Sequence, residues 1–422
     1  MRLSTNTIYE LSLASMTSQQ NLLQKTQQQI STGKRILTPS DDPIAAAQVL
    51  NIAQRDSINS QYATNRITAQ DSLALSETAL GGVTDLIQSV RESAVSAGNG
   101  AMTNTDRKIL ADALLSNQLQ ELIGMANATD SSGRYLFSGY QGATKPFSQD
   151  LDGLHIQYNG DQGQRMVQAA SSRQIPLSDS GSNIFESVKS GNGSFVTAAG
   201  ESNKGSGVVG TGSVVDPVAL NGSPYAYQIT FVGSSGRYYV SDTTTMPPTI
   251  LDTTKTPISA CDDPTTPPLI SYVSGGAISL PGLQFDITGS PAAGDTFTVN
   301  PSSKQSLFTT VVDLIEILKK PVLSPADSTK LTNGLNAALQ GLDNGLDHVL
   351  VCRSSVGSRQ NEVDSLQSIG ADLGQQYQKS MSQLQDVDYA KAISDLSKQQ
   401  ANLEAAQKTF NKVSGLSLFN YM

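Results

Sequence analysis

Only two histidines occur in the 422 residues, His155 and His348, and they stand in separate segments. Metal-assisted hydrolysis on a helix needs two imidazoles one turn apart with a carboxylate between them, as in His-Glu-x-x-His, and neither histidine has such neighbours. His155 reads as a strand-surface residue and His348 as a helix residue. The acidic pairs Asp41-Asp42 and Asp262-Asp263 carry the charge of a Ca²⁺ ligand set. An Asp before Pro at a helix start is first of all a cap, and two Asp in a Pro-rich loop are first of all solvating groups. No glycine-rich loop followed by Lys-Ser/Thr cradles a phosphate. Cys261 lies in a Pro/Asp loop and Cys352 on a helical stretch, without motif spacing, so both read as unpaired structural thiols. The expectation is a protein that is not an enzyme, with no cofactor and no metal.

The spacing that does carry information is apolar. Steps of four and three residues connect Tyr389, Ile393, Leu396, Gln400, Leu403, Gln407 and Phe410. The same steps connect Tyr9, Leu13, Met16, Gln20, Leu23, Gln27 and Ile30, with aromatic, aliphatic and Gln at matching places. Each set lies on one side of a helix with the 3.5-residue repeat of a coiled-coil stripe. Five apolar side chains yield at most about 1.5–3 kcal/mol each on full burial. Fixing some 22 residues costs roughly 1 kcal/mol or more apiece in backbone freedom before helical hydrogen bonds offset part of it. Each end alone is therefore marginal. The stripes are expected to order on one another and on neighbouring molecules, with Gln20, Gln27, Gln400 and Gln407 fixing register; the alternative is an intramolecular coiled coil closing a monomer.

Those stripes sit at the ends of a chain long enough for two to four domains and a sizeable core. Charged residues are only 15% and the net charge of −9 argues against a phosphate-binding surface, so nucleic acid is not an expected partner. Nothing resembles an 18-residue apolar span, and Met1 to Glu10 lack the charged start and apolar centre of a cleavable signal peptide. The expectation is a cytosolic protein or one that leaves by another route.

Proline maps the architecture. None occurs from Ile44 to Lys145 and none after Pro325, whereas eleven of the seventeen crowd between Pro217 and Pro301. Interior proline breaks helices, so helical arms flank a non-helical centre. Gly33 stops the first helix, and Asp42-Pro43 suits an N-cap with proline in the first helical position. A long helix runs from Ile44 to Ala97, its later half carrying Ala69, Leu73, Ser76, Leu80, Val83, Ile87, Val90, Ala94 and Ala97. A second, antiparallel helix spans Asp106 to Ala128 with Leu115, Leu119, Leu122 and Ala126 on one face. Gly133 to Tyr140 reads as strand and turn, and Asn159-Gly160 as a hairpin turn. Alternation at Tyr227, Ile229 and Phe231, at Tyr238 to Val240, at Leu283, Phe285 and Ile287, and at Phe297 and Val299 gives further strands. Three basic residues stand against eight acidic ones between Ser190 and Ser303, an acidic β-region whose loops, such as Thr243 to Pro268, are long. Helix resumes at Leu307 to Leu318, restarts at Ser324-Pro325 with Leu335, Leu339, Leu342, Leu346 and Val349, and persists to Val413.

The predicted class is α+β and multi-domain: a long antiparallel helical bundle or coiled coil from the N- and C-terminal segments, with an inserted, mostly-β central domain. Residues 1–40 and 381–422 are expected as terminal coiled-coil helices that serve assembly and are disordered in the monomer, 41–142 and 304–380 as a helical bundle domain, and 143–303 as a β-rich outer domain enlarged by loops at 191–289.

The run from Ile30 to Pro43, with Ser31-Thr32-Gly33-Lys34-Arg35-Ile36 and Thr38-Pro39-Ser40-Asp41-Asp42-Pro43, resembles the bacterial flagellin family. So do Gly133 to Gly139, Tyr158-Asn159-Gly160-Asp161, Gly294 to Val299, and the close Leu418-Phe419-Asn420-Tyr421-Met422. Together they cover about Met1 to Asp161 and Gly289 to Met422, and the Thr-Pro-Ser variant and the C-terminal close look like the hook-filament junction members. The resemblance implies terminal helices lining the channel of an axial structure, a helical domain next outward and a β-domain outside. It implies a structural subunit placed between hook-associated protein 1 and flagellin and assembled with copies of itself. It further implies export through the flagellar type III apparatus without a cleaved signal peptide, an extracellular place in the flagellum, and a chaperone on the C-terminal helix. The alternatives are a filament-forming flagellin and a secreted coiled-coil adhesin.

Overall fold

A computed structural model describes residues 5–221, 224–233, 236–246, 248–251 and 269–415. Helices α1 (Thr5–Thr32) and α2 (Pro43–Ala97) open the chain, followed by α3 (Asn104–Ala113), a π-helical turn (Leu114–Gln118) and α4 (Leu119–Ala126). Then come β1 (Phe147–Gln149), β2 (Ile156–Tyr158), β3 (Met166–Ala170), β4 (Arg173–Pro176), short α5 (Gly181–Phe185), β5 (Val188–Lys189), β6 (Phe195–Ala199), β7 (Val208–Val209), β8 (Ser213–Val214) and short α6 (Pro217–Asn221). The insert continues with β9 (Tyr227–Val232), β10 (Arg237–Asp242), β11 (Thr249–Leu251), β12 (Ile270–Ser271), β13 (Ala277–Leu280), β14 (Leu283–Thr288), β15 (Thr296–Pro301) and β16 (Lys304–Gln305). Helices α7 (Leu307–Lys319), α8 (Pro325–Gln385) and α9 (Tyr389–Gly415) close it. Helical arms around a β insert are the order the proline map predicts. The chain divides into two compact units, one of Met1–Arg66, Gln168–Arg173 and Asp364–Met422, the other of Ile67–Val167 and Gln174–Val363.

In the first unit α1 lies antiparallel to α9, since Tyr9 meets Phe410 and Lys34 bridges Asp386. The β3–β4 hairpin tip is fastened by α2, where the buried Arg66 guanidinium donates from Nη1 to the Ala169 carbonyl (2.8 Å) and from Nε to Gln367 Oε1 (2.7 Å). Asn65 Nδ2 donates to the Gln168 carbonyl at 2.8 Å. Satisfying a buried guanidinium on a backbone carbonyl and a side-chain amide oxygen avoids the cost of an unpaired charge.

In the second unit every residue of the predicted later α2 stripe, Ala69 to Ala97, is at most 2% exposed. Phe147, Phe185 and Phe308 form a ring cluster with centroids 4.9–5.7 Å apart, and Phe137 adds an edge contact to Phe185. The insert forms two antiparallel sheets, one ordered β11-β10-β9-β15-β6 with β12 also on β10, the other β13-β14-β7 with β8 on β14. Their facing side chains, including Phe195, Ile229, Phe231, Val240, Leu283, Phe285, Ile287, Phe297 and Val299, make one apolar core. The period-2 alternation at these positions is the physical cause of that layer.

Several expectations need correction. The helix predicted over Asp106 to Ala128 starts at Asn104 behind a Thr103/Asp106 capping box and ends at Ala126. Its π turn inserts one residue into the helical count, so Leu114 rather than Leu115 is buried. Gly133 to Tyr140 is turn rather than strand, held by Asp130 Oδ1, which accepts from the Ser132 and Arg134 amides. The β1–β2 hairpin turns at Asp150 to His155, and Asn159-Gly160 follows β2 instead of reversing it. His155 belongs to that turn, its Nδ1 2.7 Å from Asp152 Oδ2, and is not on a strand. Helix does not persist unbroken to Val413, because α8 stops at Gln385 and α9 begins at Tyr389. Residues 191–289 hold the strands predicted around Ile229, Tyr239 and Phe285, and the loops expected to enlarge this region also carry β6, β7, β8, β11, β12 and β13. His348 is helical as predicted, with Nε2 2.7 Å from the Asn183 carbonyl, and Cys352 is a buried free thiol pushed up to about 11 by desolvation. Cys261, Asp262-Asp263, most of the loop to Pro268 and the Leu418 to Met422 close lie outside the described residues.

Candidate assembly interface

The two terminal helices meet along part of the predicted stripes and along part of an unpredicted one. Met16, Leu23 and Ile30 of α1 and Leu396, Leu403 and Phe410 of α9 are half-buried. Tyr9 and Phe410 stack at 5.1 Å between centroids. The positions interleaved with them on the covered face are Ser12, Gln19 and Thr26 in α1 and Ala392, Gln399 and Ala406 in α9, each one residue before its predicted counterpart. Thr26 and Ala392 are the most covered, at 7% and 6% exposed. Thr26 Oγ1 is satisfied within its own helix by the Leu22 carbonyl at 3.0 Å, whereas Gln399 Oε1 is buried with no partner among the described residues.

The displacement is the same in both helices, and four of the six interleaved residues, Ser12, Thr26, Ala392 and Ala406, are small. As a result Tyr9, Leu13, Tyr389 and Ile393 remain 49–54% exposed on one flank of the pair, while Leu11 (61%) and Leu22 (46%) are exposed on the other flank of α1. Gln20, Gln27, Gln400 and Gln407 are exposed beside Tyr9, Leu13, Tyr389 and Ile393, outside the seam of the pair. One half of the predicted seam is thus used within the chain, and the other half is an uncovered apolar flank rimmed with amides.

The connections next to this pair explain the sequence from Ser31 to Pro43. Gly33 ends α1 at φ +70°, and a Cβ there would stand 3.1 Å from the Tyr389 hydroxyl oxygen. The Gly33 carbonyl accepts from Val387 N (2.9 Å), Arg35 N donates to the Gln385 carbonyl (2.7 Å), and Arg35 Nη2 donates to the Leu384 carbonyl (2.8 Å). The break between α8 and α9 is thereby bonded to the break after α1. Asp41 accepts from the Leu37 and Thr38 amides, each at 3.0 Å, and from Lys25 Nζ at 2.7 Å. The Lys25 ammonium, followed by those amides, holds its carboxyl down at about 2. Asp42 caps α2 through the Ala45 amide (3.0 Å) and pairs with Arg35 Nη1 (3.2 Å), and both lower its carboxyl pKa. The two aspartates therefore act as corner and cap. Among the described residues no group of three or more His, Cys, Asp and Glu could hold a metal ion, and no helix is long and apolar enough to cross a membrane.

The bacterial flagellin N-terminal helical region matches residues 3–142. Flagellar hook-associated protein 3 of Salmonella typhimurium is 30% identical over 422 residues, 99% of each chain. The crystal structure of flagellar hook-associated protein 3 from Legionella pneumophila superposes with a TM-score of 0.71 at 30% identity, covering 80% of this chain and 98% of that one. B-type flagellin of Pseudomonas aeruginosa, by contrast, is 31% identical over 153 residues, 34% of this chain and 30% of its own. A match running end to end through the β insert separates this chain from flagellin, with which it shares about a third of its length. The chain belongs to the flagellar hook-associated protein 3 family, a family of structural components of the bacterial flagellum.

Proposed function

We propose that the chain is the hook-filament junction subunit, added onto hook-associated protein 1 and presenting the surface on which flagellin polymerises. Copies join head to tail, because only heterologous contacts propagate a helical lattice. Residues 1–40 and 381–422 are the assembly segment, 41–142 with 304–380 the helical domain, and 143–303 the β-rich insert. The observation carrying this reading is the uncovered flank of the terminal pair, where Tyr9, Leu13, Tyr389 and Ile393 are 49–54% exposed. Large apolar side chains left uncovered along one flank mark an interaction surface. Gln20, Gln27, Gln400 and Gln407 then fix register between subunits rather than within one. The family assignment supports an extracellular place in the flagellum and export through the flagellar type III apparatus. Before export a chaperone covers the apolar stripe of α9.

The test is Leu13→Asp and Ile393→Asp, each on the exposed flank. Both variants keep the far-ultraviolet dichroism and melting of the parent, and both lose incorporation at hook ends by at least tenfold. Normal incorporation would sink the interface assignment. Long self-grown filaments from the parent protein on hook seeds would point to a flagellin instead.

A further inference from the structure

Six Asn-Gly pairs occur in the chain, at Asn99, Asn159, Asn192, Asn221, Asn333 and Asn344. Asparagine before glycine can be attacked by its own backbone, because no Cβ hinders the glycine nitrogen on its way to the side-chain carbonyl carbon. The attack needs a free glycine N–H, a free leaving amide and a chain able to bend. Both residues are described in all these pairs except Asn221-Gly222, and four of the described pairs are held. Asn333 and Asn344 lie within α8, where the next amide belongs to the helical ladder. Their side-chain amides donate to backbone carbonyls as well, Asn333 to Gly207 at 3.0 Å and Asn344 to Gly191 at 2.6 Å. The Gly193 amide donates to the Ser190 carbonyl and Asn192 Nδ2 to the Gly212 carbonyl, each at 3.2 Å. Asn159 Nδ2 donates to Ser148 Oγ at 2.8 Å, and a Cβ on Gly160 would stand 2.5 Å from the Tyr158 hydroxyl and 2.9 Å from the Ser138 carbonyl oxygen. Asn99-Gly100, in the turn between α2 and α3, is held in none of these ways. Both residues are exposed, and nothing stands within 4 Å of where a Gly100 Cβ would be. Neither the Gly100 N–H nor Asn99 Nδ2 has a partner among the described residues. Asn99 Oδ1 accepts from the Ala101 amide at 3.0 Å, which polarises the carbonyl under attack.

We propose that Asn99 is a self-modification site, where the fold leaves an asparagine free to deamidate while shielding Asn159, Asn192, Asn333 and Asn344. The Gly100 nitrogen bonds to Asn99 Cγ and gives its proton to solvent; the Cγ–Nδ2 bond breaks, ammonia leaves and a cyclic succinimide remains. Water then opens the ring at either carbonyl, giving aspartate or, predominantly, isoaspartate. Hydroxide assists the first step by taking the Gly100 proton, so the rate rises with pH. The product adds one negative charge to a chain already at −9 and places it just past the end of α2, where the helix dipole disfavours an anion. Isoaspartate also reroutes the backbone through Cβ and Cγ, which removes the peptide carbonyl that accepts from the Met102 amide at 3.0 Å. The Met102 carbonyl in turn accepts from Arg107 Nη1 at 2.8 Å, and the Thr103/Asp106 capping box follows directly. The start of α3 therefore loosens as the protein ages.

The test is peptide-map mass spectrometry of the full chain incubated at physiological temperature in mildly alkaline buffer, with isoaspartate counted by enzymatic methylation. Asn99 converts first, while Asn159, Asn192, Asn333 and Asn344, which react only through local opening, are slower by about tenfold or more. In urea the five pairs convert at similar rates, because the fold no longer distinguishes them. Gly100→Ala fits the open turn and keeps the melting of the parent, yet loses conversion at Asn99. In the aged parent, amide exchange at Met102 and in the first turn of α3 quickens by about tenfold, and in identically aged Gly100→Ala it does not. The inference is overturned if Asn99 in the native chain converts no faster than the other four, or if Gly100→Ala deamidates at the parent's rate. It is equally overturned if the lead of Asn99 persists undiminished in urea, which would make sequence context rather than the fold its cause. Unchanged exchange at Met102 in deamidated protein would overturn the loosening of α3.

Discussion

Single residues set the corner between the first two helices, and their chemistry is testable. Asp41 is pulled down to about 2 by Lys25 and two amides, against about 3.9 in an unfolded chain. A depressed carboxylate stabilises the folded form above the unfolded pKa and loses that contribution as pH falls through the folded one. The Leu37 and Thr38 amides therefore stay protected from exchange above about pH 4 and become labile between about pH 4 and pH 2. In Asp41→Asn this pH dependence disappears, as amide-exchange NMR would register. Gly33 is the other decisive residue, since at φ +70° an L side chain costs about 1–2 kcal/mol, and a new Cβ also meets the Tyr389 hydroxyl at 3.1 Å. Gly33→Ala should raise exchange rates in the end of α1 nearest it and in the facing start of α9 by about tenfold. The role of Asp42 as a cap is legible from Asp-Pro alone. That Asp41 reaches back to Lys25 is not, because an ion pair spanning a chain reversal leaves no periodic trace.

Elements carry the comparison between stripe and seam. The large residues recurring every seventh position, Met16, Leu23 and Ile30 against Leu396, Leu403 and Phe410, are readable because burial favours size. The interleaved positions Ser12, Gln19, Ala392 and Gln399 carry no large apolar side chain, so a reading that follows hydrophobicity passes over them for Leu13, Gln20, Ile393 and Gln400. The two kinds of position separate experimentally. Leu23→Asp places a charge in the seam and opens the pair, so limited proteolysis removes both ends faster while residues 67–363 are unaffected. Leu13→Asp leaves the proteolysis pattern of the monomer unchanged and abolishes assembly. The long α2 stripe and the alternating strands were readable because one face of each is buried along its whole length. The π turn in the α3–α4 segment was not, since one residue inserted into a helix changes which leucine is covered without changing composition.

At the scale of the molecule, the contrast is between a second unit with continuous apolar cores and terminal helices that cover only one narrow face of each other. Six half-buried seam side chains, at about 1 kcal/mol each, do little against the ordering of two helices of 28 and 27 residues. Such a pair sits at the low-stability end of the structure until other surfaces cover its flank. The direct measurement is amide hydrogen exchange of α1 and α9 in the dilute monomer and in protein assembled on hooks. Exchange in these helices is expected to be at least 100-fold faster than in α7 of the monomer, with protection approaching that of α7 after assembly. Equal protection of α1, α9 and α7 in the dilute monomer, unchanged on assembly, would contradict it.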